Sequence, residues 1–354
     1  MGIEELVDTF GGPQTTALGG ILIGIIFGYF AQRSRFCLRA AAIEFSRGAL
    51  GEKLAIWFIV FSTAVIGTQS LILLDEMTVD EARQLALPGS LSGALVGGLL
   101  FGSGMILSRG CSSRMLVLSA NGNLRSLLTG LVFAVVAQSS LRGLLSPVRS
   151  EVASWWLLQP SELSILHKLG AGPGFGILIG CITLCGALWI ARKRTIAHKV
   201  WLGAVVVGAT VPLAWYLTFS VAGLSFDPIQ VEALSFSGPS ADTLMLVMNQ
   251  PKPEMDFDVG LIPGVFFGSF IAAYLAKELK LEGFEGGHSM KRYIVGAAFM
   301  GFGGMLAGGC AVGAGVTGGS IFTVTAWTTL FMMWIGAGLT DLVVDRKQWI
   351  LQSL

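Results

Sequence analysis

Residues 97–111 read GGLLFGSGMILSRGC, and residues 296–310 read GAAFMGFGGMLAGGC. Each stretch is an apolar, glycine-striped segment that ends in a Gly-Cys step, and a Gly-rich turn and another apolar segment follow it. Duplicated halves with interrupted helices are typical of membrane transport folds, so this pattern predicts an internal repeat. At an offset of 310 − 111 = 199 the identities are Gly97/Gly296, Gly102/Gly301, Gly104/Gly303, Leu107/Leu306, Gly110/Gly309 and Cys111/Cys310.

The composition places the chain in a membrane. Hydrophobic residues make up 53% and charged residues 13% of the 354 positions, against about 25% charged in soluble domains. The mean hydropathy is +0.72. A net charge of +1 gives no indication of a nucleic-acid partner, and the acidic N-terminus MGIEELVDTFGG lacks the basic region of a cleaved signal peptide.

Hydropathy predicts an all-α integral membrane protein that forms a single domain over residues 1–354. A membrane-crossing helix needs roughly 20 apolar residues, and about nine such spans can be placed, with short re-entrant or broken helices between them. The first span is short, which suggests a tilted or partly buried helix. The predicted spans are 17–31, 54–74, 90–108, 126–145, 172–191, 200–220, 259–276, 293–308 and 321–342.

The loop charges predict the orientation. Cytoplasmic loops carry an excess of Lys and Arg, whereas the loop at 75–81 and the segment around 227–258 are acid-leaning. The sequence therefore predicts an external N-terminus and a cytoplasmic C-terminus. The basic residues used are Arg33, Arg35, Arg39, Arg47, Lys53, Arg192, Lys193, Arg194, Lys199, Lys277, Lys280, Lys291, Arg292, Arg346 and Lys347.

Nine crossings make the two halves inverted repeats, because the third span then runs inward and the eighth outward. Repeat 1 covers about 17–145, a linker helix about 172–191, and repeat 2 about 200–342. Inverted repeats place a shared site near the bilayer midplane. We expect Cys111 and Cys310 to approach that site from opposite leaflets.

A helix that begins just after Cys111 or Cys310 directs unsatisfied backbone N–H groups, and its positive dipole end, toward the break. Such an end binds anions without a cationic side chain. Most glycines of the two stretches are expected to allow close helix packing. Gly110 and Gly309, which adjoin the cysteines, are expected to belong to the site.

The spacing of the cysteines limits the kinds of site that the chain can form. The five thiols and three histidines show no zinc-ligand spacing, so the sequence predicts no metal and no cofactor. Cys181 and Cys185, four residues apart in the fifth span, are expected to act as small buried hydrophobes. Cys37 lies in RSRFCLRAAAIEFSRG, a segment that could re-enter the membrane from inside, and could be a third thiol on one path.

Three cysteine motifs resemble those of the YeeE/YedE sulfur-transport family: RSRFCLRAA, SRGCSSRMLVLSANGNLRSL and GGCAVGAGVTGGS, in this order and over nearly the whole chain. The resemblance implies import of thiosulfate across the bacterial inner membrane rather than an enzymatic reaction. It assigns the functional thiols to Cys37, Cys111 and Cys310, and leaves Cys181 and Cys185 outside the pattern. It also implies a small cytoplasmic sulfur carrier of the TusA type as a partner.

Thiosulfate suits such a site because it is a dianion with a soft terminal sulfur and hard sulfonate oxygens. Thiols are weak S–H donors that can face the sulfur, while helix-start N–H groups face the oxygens. A free thiol has a pKa of about 8.5, and a thiolate would repel the dianion, so we expect protonated thiols to bind it. Arg109 flanks Cys111 as a candidate site residue, although a snorkelling or topology-setting role is the alternative.

Two other classes of function stay open. One is a carrier or channel for another sulfur or selenium species. The other is a membrane thiol or persulfide sulfurtransferase, although the sequence lacks a C-x-x-C pair and an adjacent base. Inward movement of a dianion against an inside-negative potential costs about 2 × 2.3, or roughly 4.6 kcal/mol per 100 mV. Because no nucleotide-binding G-x-x-x-x-G-K-[ST] run is present, uptake needs a coupled ion, a gradient or removal of the product inside.

Overall fold

A computed structural model describes residues 2–79, 82–249, 256–283 and 287–346, and its architecture confirms the all-α fold class. Two-residue strands β1 (Gly89–Ser90) and β2 (Leu157–Leu158) pair antiparallel. The helices in chain order are α1 (Ile3–Phe10), α2 (Gly12–Ser34), α3 (Leu38–Ser46), α4 (Glu52–Leu73), α5 (Arg83–Ala86), α6 (Leu91–Leu107), α7 (Ser112–Ala120), α8 (Leu124–Arg142), α9 (Ser146–Ser154), α10 (Pro160–Leu163), α11 (Ile165–Lys168), α12 (Pro173–Lys193), α13 (His198–Leu224), α14 (Gly238–Asn249), α15 (Phe257–Leu275), α16 (Gly287–Leu306), the π-helical π1 (Gly313–Gly318), α17 (Val324–Thr340) and the π-helical π2 (Asp341–Arg346).

Eight stretches of the described chain are long and apolar enough to cross a bilayer, and together they account for eight of the predicted spans. The remaining predicted span, the eighth (293–308), overlaps α16, a 20-residue helix that packs against α6 and α8. The first span is longer than expected, because α2 begins at Gly12 with Pro13 in its first turn. Among the charges used for orientation, Lys347 lies outside the described residues.

Helix α2 packs along α15 by direct backbone contact. Gly20, Gly24 and Gly28 recur every four residues on α2, and a Cβ atom on any of them would collide with backbone atoms of α15. Three glycines on α15 face carbonyl groups of α2 in the same way: Gly260, Gly264 and Gly268. Small residues at this spacing let two membrane helices approach closely, which replaces the hydrophobic driving force that lipid cannot supply.

The helix contacts between the two halves of the chain are reciprocal. Helix α2 packs on α15 while α13 packs on α4, and α6 packs on α17 while α16 packs on α8. The pairs α2–α13 and α6–α16 join the halves at their centre. Helix α12 packs on α4. Matching α2, α4, α6 and α8 with α13, α15, α16 and α17 leaves α12 as the one long helix of the described chain without a counterpart.

The two helix breaks have the same hydrogen-bond pattern. Helix α6 is closed by the Gly110 N–H donating to Met105 O (3.2 Å), and α16 by the Gly309 N–H donating to Gly304 O (2.9 Å). Arg109 (φ 58°) and its counterpart Gly308 (φ 77°) both adopt the left-handed conformation that ends the helix.

The segments that follow the two breaks differ in length by one residue. Asn123 caps α8 and Thr323 caps α17, at 123 − 111 = 12 and 323 − 310 = 13 residues past the matched cysteines. The second copy accommodates the additional residue in π1, where the Thr317 N–H donates to the carbonyl five residues back, Val312 O (2.8 Å). A π-helical turn is the usual form of a one-residue insertion in a helix.

Helices α6 and α16 run antiparallel. Gly97 lies opposite Gly303, and Gly104 opposite Gly296, with backbone carbonyls filling the space of the absent side chains. The α6 break therefore lies near the start of α16, where Arg292 Nη2 donates to Ile106 O (3.1 Å). The α16 break lies near the start of α6. The two Gly-Cys steps thus occupy opposite ends of a helix crossing about 25 Å long.

Gly97→Leu is expected to destabilise the protein by about 1–3 kcal/mol or more, because the new side chain would meet Gly303 O and Ala307 N. Thermal unfolding of the purified protein in detergent measures the effect. Gly130→Leu on α8 is the matched control, since no atom lies within 4 Å of a Cβ placed there. Equal melting temperatures for the two variants would contradict the glycine-packed crossing.

Candidate functional site at the three thiols

Each of the three expected cysteines stands at the start of a helical segment. Cys37 is the N-cap residue of α3, and Cys111 is the N-cap residue of α7. Cys310 precedes π1, and its carbonyl accepts from the Ala314 N–H at 2.8 Å. In all three places the chain has just left another helix, so the first N–H groups of the new segment lack intrahelical partners.

Cys37 owes its position to the end of α2. Arg35 is left-handed (φ 54°) and its N–H donates to Gln32 O, while the Phe36 N–H donates to Ala31 O, both at 3.3 Å. This turn stops α2, and Cys37 then adopts an extended conformation (φ −165°, ψ 117°) before α3 begins. Phe36 is buried against Phe27, which holds the turn in the core.

The Cys37 and Cys111 side chains lie close enough to interact electrostatically. Cys111 is buried, whereas Cys37 is partly accessible. The Ser113 hydroxyl lies 3.4 Å from Cys111 Sγ. The two thiols therefore form one paired centre at the α6 end of the crossing.

Cys310 is fully buried at the other break. Its Sγ accepts the Gly313 N–H at 3.4 Å, so the thiol faces the start of π1. The Thr317 hydroxyl donates to Leu234 O (2.7 Å), which fastens π1 to the segment that leads into α14. Cys111 and Cys310 belong to the same buried cluster, but their immediate neighbours differ.

The glycines beside the cysteines are both buried and close the preceding helices. A Cβ on Gly309 would lie 2.7 Å from Ala314 N, whereas one on Gly110 would meet only Met115 Cγ, at 3.3 Å. The backbone at Gly309 is thus packed directly against π1. The backbone at Gly110 has more room.

Two arginines lie closest to the paired thiols. Arg39 and Arg114 are near enough to act electrostatically on Cys37. Arg109, the arginine selected from the sequence, has an exposed side chain. The positive charge at this end of the crossing therefore includes residues on the first turns of α3 and α7 themselves.

Polar partners hold these arginines. Arg114 Nη1 donates to Gln32 Oε1 (3.3 Å), and Gln32 Nε2 donates to Glu278 Oε2 (2.8 Å). Arg39 lies 3.8 Å from Asp345, which also pairs with Arg292 at 2.7 Å.

Comparison with known protein sequences identifies the family. The sequence profile of the family described as Sulphur transport matches residues 33–339. The chain belongs to this sulphur transport family. It is 26% identical over 345 residues to the thiosulfate transporter TsuA of Escherichia coli K12, covering 90% of this chain and 92% of that protein. It is 25% identical over 340 residues to the thiosulfate transporter TsuA of Spirochaeta thermophila, covering 90% and 96%.

One residue of the candidate site, Ser112, was not predicted from the sequence. Ser112 directly follows Cys111, and its buried hydroxyl has no hydrogen-bond partner within the described residues. A buried hydroxyl without a partner costs free energy unless a ligand or water satisfies it. The sequence could have indicated this residue, because Ser112 is the first residue after the Gly-Cys step.

The prediction that Cys181 and Cys185 are buried is wrong. Both are exposed on α12, because this helix packs on α4 alone among the long helices. Within the described residues, no three His, Cys, Asp or Glu side chains cluster as a metal site would require.

Proposed function

We propose that this chain imports thiosulfate, with Cys310 at the outer break and Cys111 and Cys37 at the inner one. The observation that carries the proposal is the placement of all three thiols at helix starts, two of them near each other. The names of the two relatives, each matched over 90% of this chain, supply the substrate. Transport in this proposal leaves the ion chemically unchanged.

The chemistry of the inner centre suits the two ends of the ion. The Cys37 and Cys111 thiols would donate S–H bonds to the terminal sulfur. The sulfonate oxygens would accept from the first N–H groups of α7 and from the Ser112 hydroxyl. Gly110 leaves space beside Cys111, and Arg114 supplies a nearby positive charge.

Two inverted repeats, about 17–145 and 200–342, joined through a helix at about 172–191, are part of the proposal. The reciprocal helix contacts and the opposite placement of the two breaks support it. The proposed setting is the bacterial inner membrane, with the N-terminus outside and the C-terminus in the cytoplasm. Labelling of a tag at either terminus by a membrane-impermeant reagent in intact cells tests that orientation.

Alanine substitution of any one of Cys37, Cys111 and Cys310 is expected to lower thiosulfate uptake into proteoliposomes roughly 10- to 100-fold. A hydrogen bond to a charged group contributes about 1.5–3 kcal/mol, and every 1.4 kcal/mol is a factor of ten. The measurement is the initial rate of entry of labelled thiosulfate. Competition by sulfate and selenite in the same assay tests the substrate.

The Cys181→Ala/Cys185→Ala double variant is the control, because these thiols are exposed on α12 and should not affect uptake. Full activity in all three single variants would refute the thiol path. The proximity of Cys37 and Cys111 also gives a reason to test the sulfurtransferase alternative. There a thiolate attacks the sulfane sulfur and releases sulfite, and the persulfide left behind adds the mass of one sulfur to the protein.

Thiosulfate binding is expected to weaken as the pH rises through about 8.5, where free thiols ionise. Thiosulfate itself stays a dianion across this range, so the change reports on the protein. Equilibrium binding to the purified protein at pH 6.5, 7.5 and 9.5 measures it. In the Cys37→Ser variant the more accessible thiol of the pair is replaced by a hydroxyl that does not ionise in this range. This variant should show a smaller change of affinity with pH. Tighter binding at high pH would refute the protonated-thiol mechanism.

A TusA-type carrier inside the cell is the proposed partner, because removal of the product offsets the cost of bringing in a dianion. The proposed docking positions are Arg35 and Arg39 or Lys291 and Arg292. Arg35 and Lys291 are exposed, whereas Arg39 and Arg292 both pair with Asp345. Purified carrier enclosed in the vesicles is expected to increase net thiosulfate uptake. A carrier whose cysteine is replaced by serine is the control, and equal uptake with both would exclude this partner.

A further inference from the structure

The segment π2 is joined to the rest of the protein by ion pairs. Its two carboxylates, Asp341 and Asp345, stand four residues apart. Asp341 accepts two hydrogen bonds from Arg47, one from Nε at 3.0 Å and one from Nη2 at 2.8 Å. Asp345 accepts from Arg292 Nη2 at 2.7 Å and lies 3.8 Å from Arg39 Nη2. A segment of six residues is therefore tied to three arginines from different parts of the chain.

The ion pairs of Asp345 connect the elements on the two sides of the thiol pair. Arg39 lies on the first turn of α3, which begins just after Cys37. Arg292 also donates to Ile106 O (3.1 Å) in the last turn of α6, the helix that leads to the second thiol. One carboxylate thus bridges the start of α3 and the end of α6 through two guanidinium groups.

The two aspartates hold π2 with different strength. Asp341 is buried (1% exposed), and its bond to Arg47 is bidentate, which is the strongest kind of pairing for a carboxylate. The Asp345 side chain is 20% exposed, and one of its two pairs is 3.8 Å long. Ion pairs that water can reach are weak and are screened by salt. Asp341 is therefore the fixed point of the segment, and Asp345 is the contact that can open.

Packing contributes little to the position of π2. Leu342 and Val343, between the two aspartates, are 43% and 64% exposed. Among the described residues, α17 is the one helix that packs extensively against this segment. Short π-helical segments are rare and are frequently found at functional sites. The end of π2 is therefore free to move once the Asp345 pairs break, while Asp341 stays in place.

Arg39 and Arg292 have hydrogen-bonding capacity that Asp345 leaves unused. Their Nε atoms are buried and form no hydrogen bond within the described residues. A guanidinium group carries five N–H donors, and a buried donor without a partner costs free energy. A small dianion between the two groups would accept from these donors. It would therefore compete with the single charge of Asp345 for both arginines.

We propose that π2 is a latch across the thiol pair, closed by Asp345 and opened when a dianion takes its place on Arg39 and Arg292. The Asp341–Arg47 pair is the anchor of the latch. In the proposed orientation the latch lies on the cytoplasmic side, so thiosulfate that leaves the thiol pair opens its own exit. This inference rests on the proposed function and adds a release step to it. The latch itself is measured without transport, through the accessibility of Cys37.

Asp345→Asn is expected to increase the access of large reagents to Cys37, because the amide keeps the size of the side chain but not its charge. The measurement is the rate of Cys37 modification by a bulky fluorescent maleimide, divided by the rate with N-ethylmaleimide. An open latch should raise this ratio roughly 3- to 10-fold. A change in the intrinsic reactivity of the thiol alters both rates equally and leaves the ratio unchanged. Asp345→Glu, which keeps the charge, should restore the wild-type ratio in part.

Glu52→Gln is the matched control. It removes an exposed carboxylate that pairs with the adjacent Lys53 (3.0 Å) rather than with the arginines of the latch. Its reagent ratio should equal that of the wild type. All of these proteins carry Cys181→Ala/Cys185→Ala, because the exposed thiols of α12 would otherwise consume the reagents.

The opening of the latch by a dianion is tested with Asp345 in place, so the result does not depend on the folding of a variant. Sodium sulfate and sodium chloride at an equal ionic strength of about 100 mM screen charges alike. Sulfate should raise the reagent ratio above its value in chloride, because its double charge competes with Asp345 for the two arginines. Equal ratios in the two salts would overturn the proposal.

The failure of the latch and the failure of the proposed function are distinguishable. An unchanged reagent ratio in Asp345→Asn would overturn the latch, and wild-type uptake of thiosulfate would leave the proposed function intact. Absence of thiosulfate uptake by the wild type would refute the proposed function, whatever ratio is measured at Cys37.

Discussion

The structure depends on the direct backbone contact of α6 with α16. Gly97 and Gly104 on one helix and Gly296 and Gly303 on the other remove the side chains that would hold the two axes apart. The left-handed residues Arg109 and Gly308 end the two helices at the ends of this contact, and both Gly-Cys steps lie in the protein interior. A broken helix in a membrane is tolerated only where it lines a protein-enclosed or aqueous space. The glycine crossing therefore makes the two breaks possible.

The halves are alike in packing and unlike in chemistry. Cys37 directly precedes α3, and in the second half Ser237 directly precedes α14. Helix α3 packs on α4 and α17, as α14 packs on α15 and α8. The α6 break thus has two thiols nearby, where the α16 break has one thiol and a hydroxyl. The one-residue insertion in π1 adds to this asymmetry, because it changes the direction of the N–H groups after Cys310.

The sequence was sufficient for the fold class, because hydropathy is a local property. It placed eight spans that the structure also contains, and it matched Arg109 to Gly308, the two left-handed residues that close α6 and α16. It did not show that Cys37 lies near Cys111. That proximity relates residues 74 positions apart (111 − 37) and depends on how α2 packs among α7, α13 and α15.

Side-chain exposure was the least predictable property. Cys181 and Cys185 are as apolar in context as the other three thiols, but α12 packs on α4 alone among the long helices and so leaves them exposed. Arg109 and Arg114 are similar by sequence, since both flank Cys111. The left-handed turn directs Arg109 outward, while α7 keeps Arg114 beside the thiol pair. Periodicity cannot separate such cases, because the difference arises in the turn between two helices.

The unequal breaks have a consequence for the direction of transport. In the proposed function, the single thiol at the α16 break would take up the hydrated dianion and give it up again, because one weak S–H donor holds the sulfur loosely. A paired centre with Cys37, Cys111 and the free hydroxyl of Ser112 offers more donors and should bind the ion more tightly. Release from the tighter site is then the difficult step. In the proposed orientation the tighter site is the cytoplasmic one, near the arginines of α3 and α7, so an acceptor on that side would assist release.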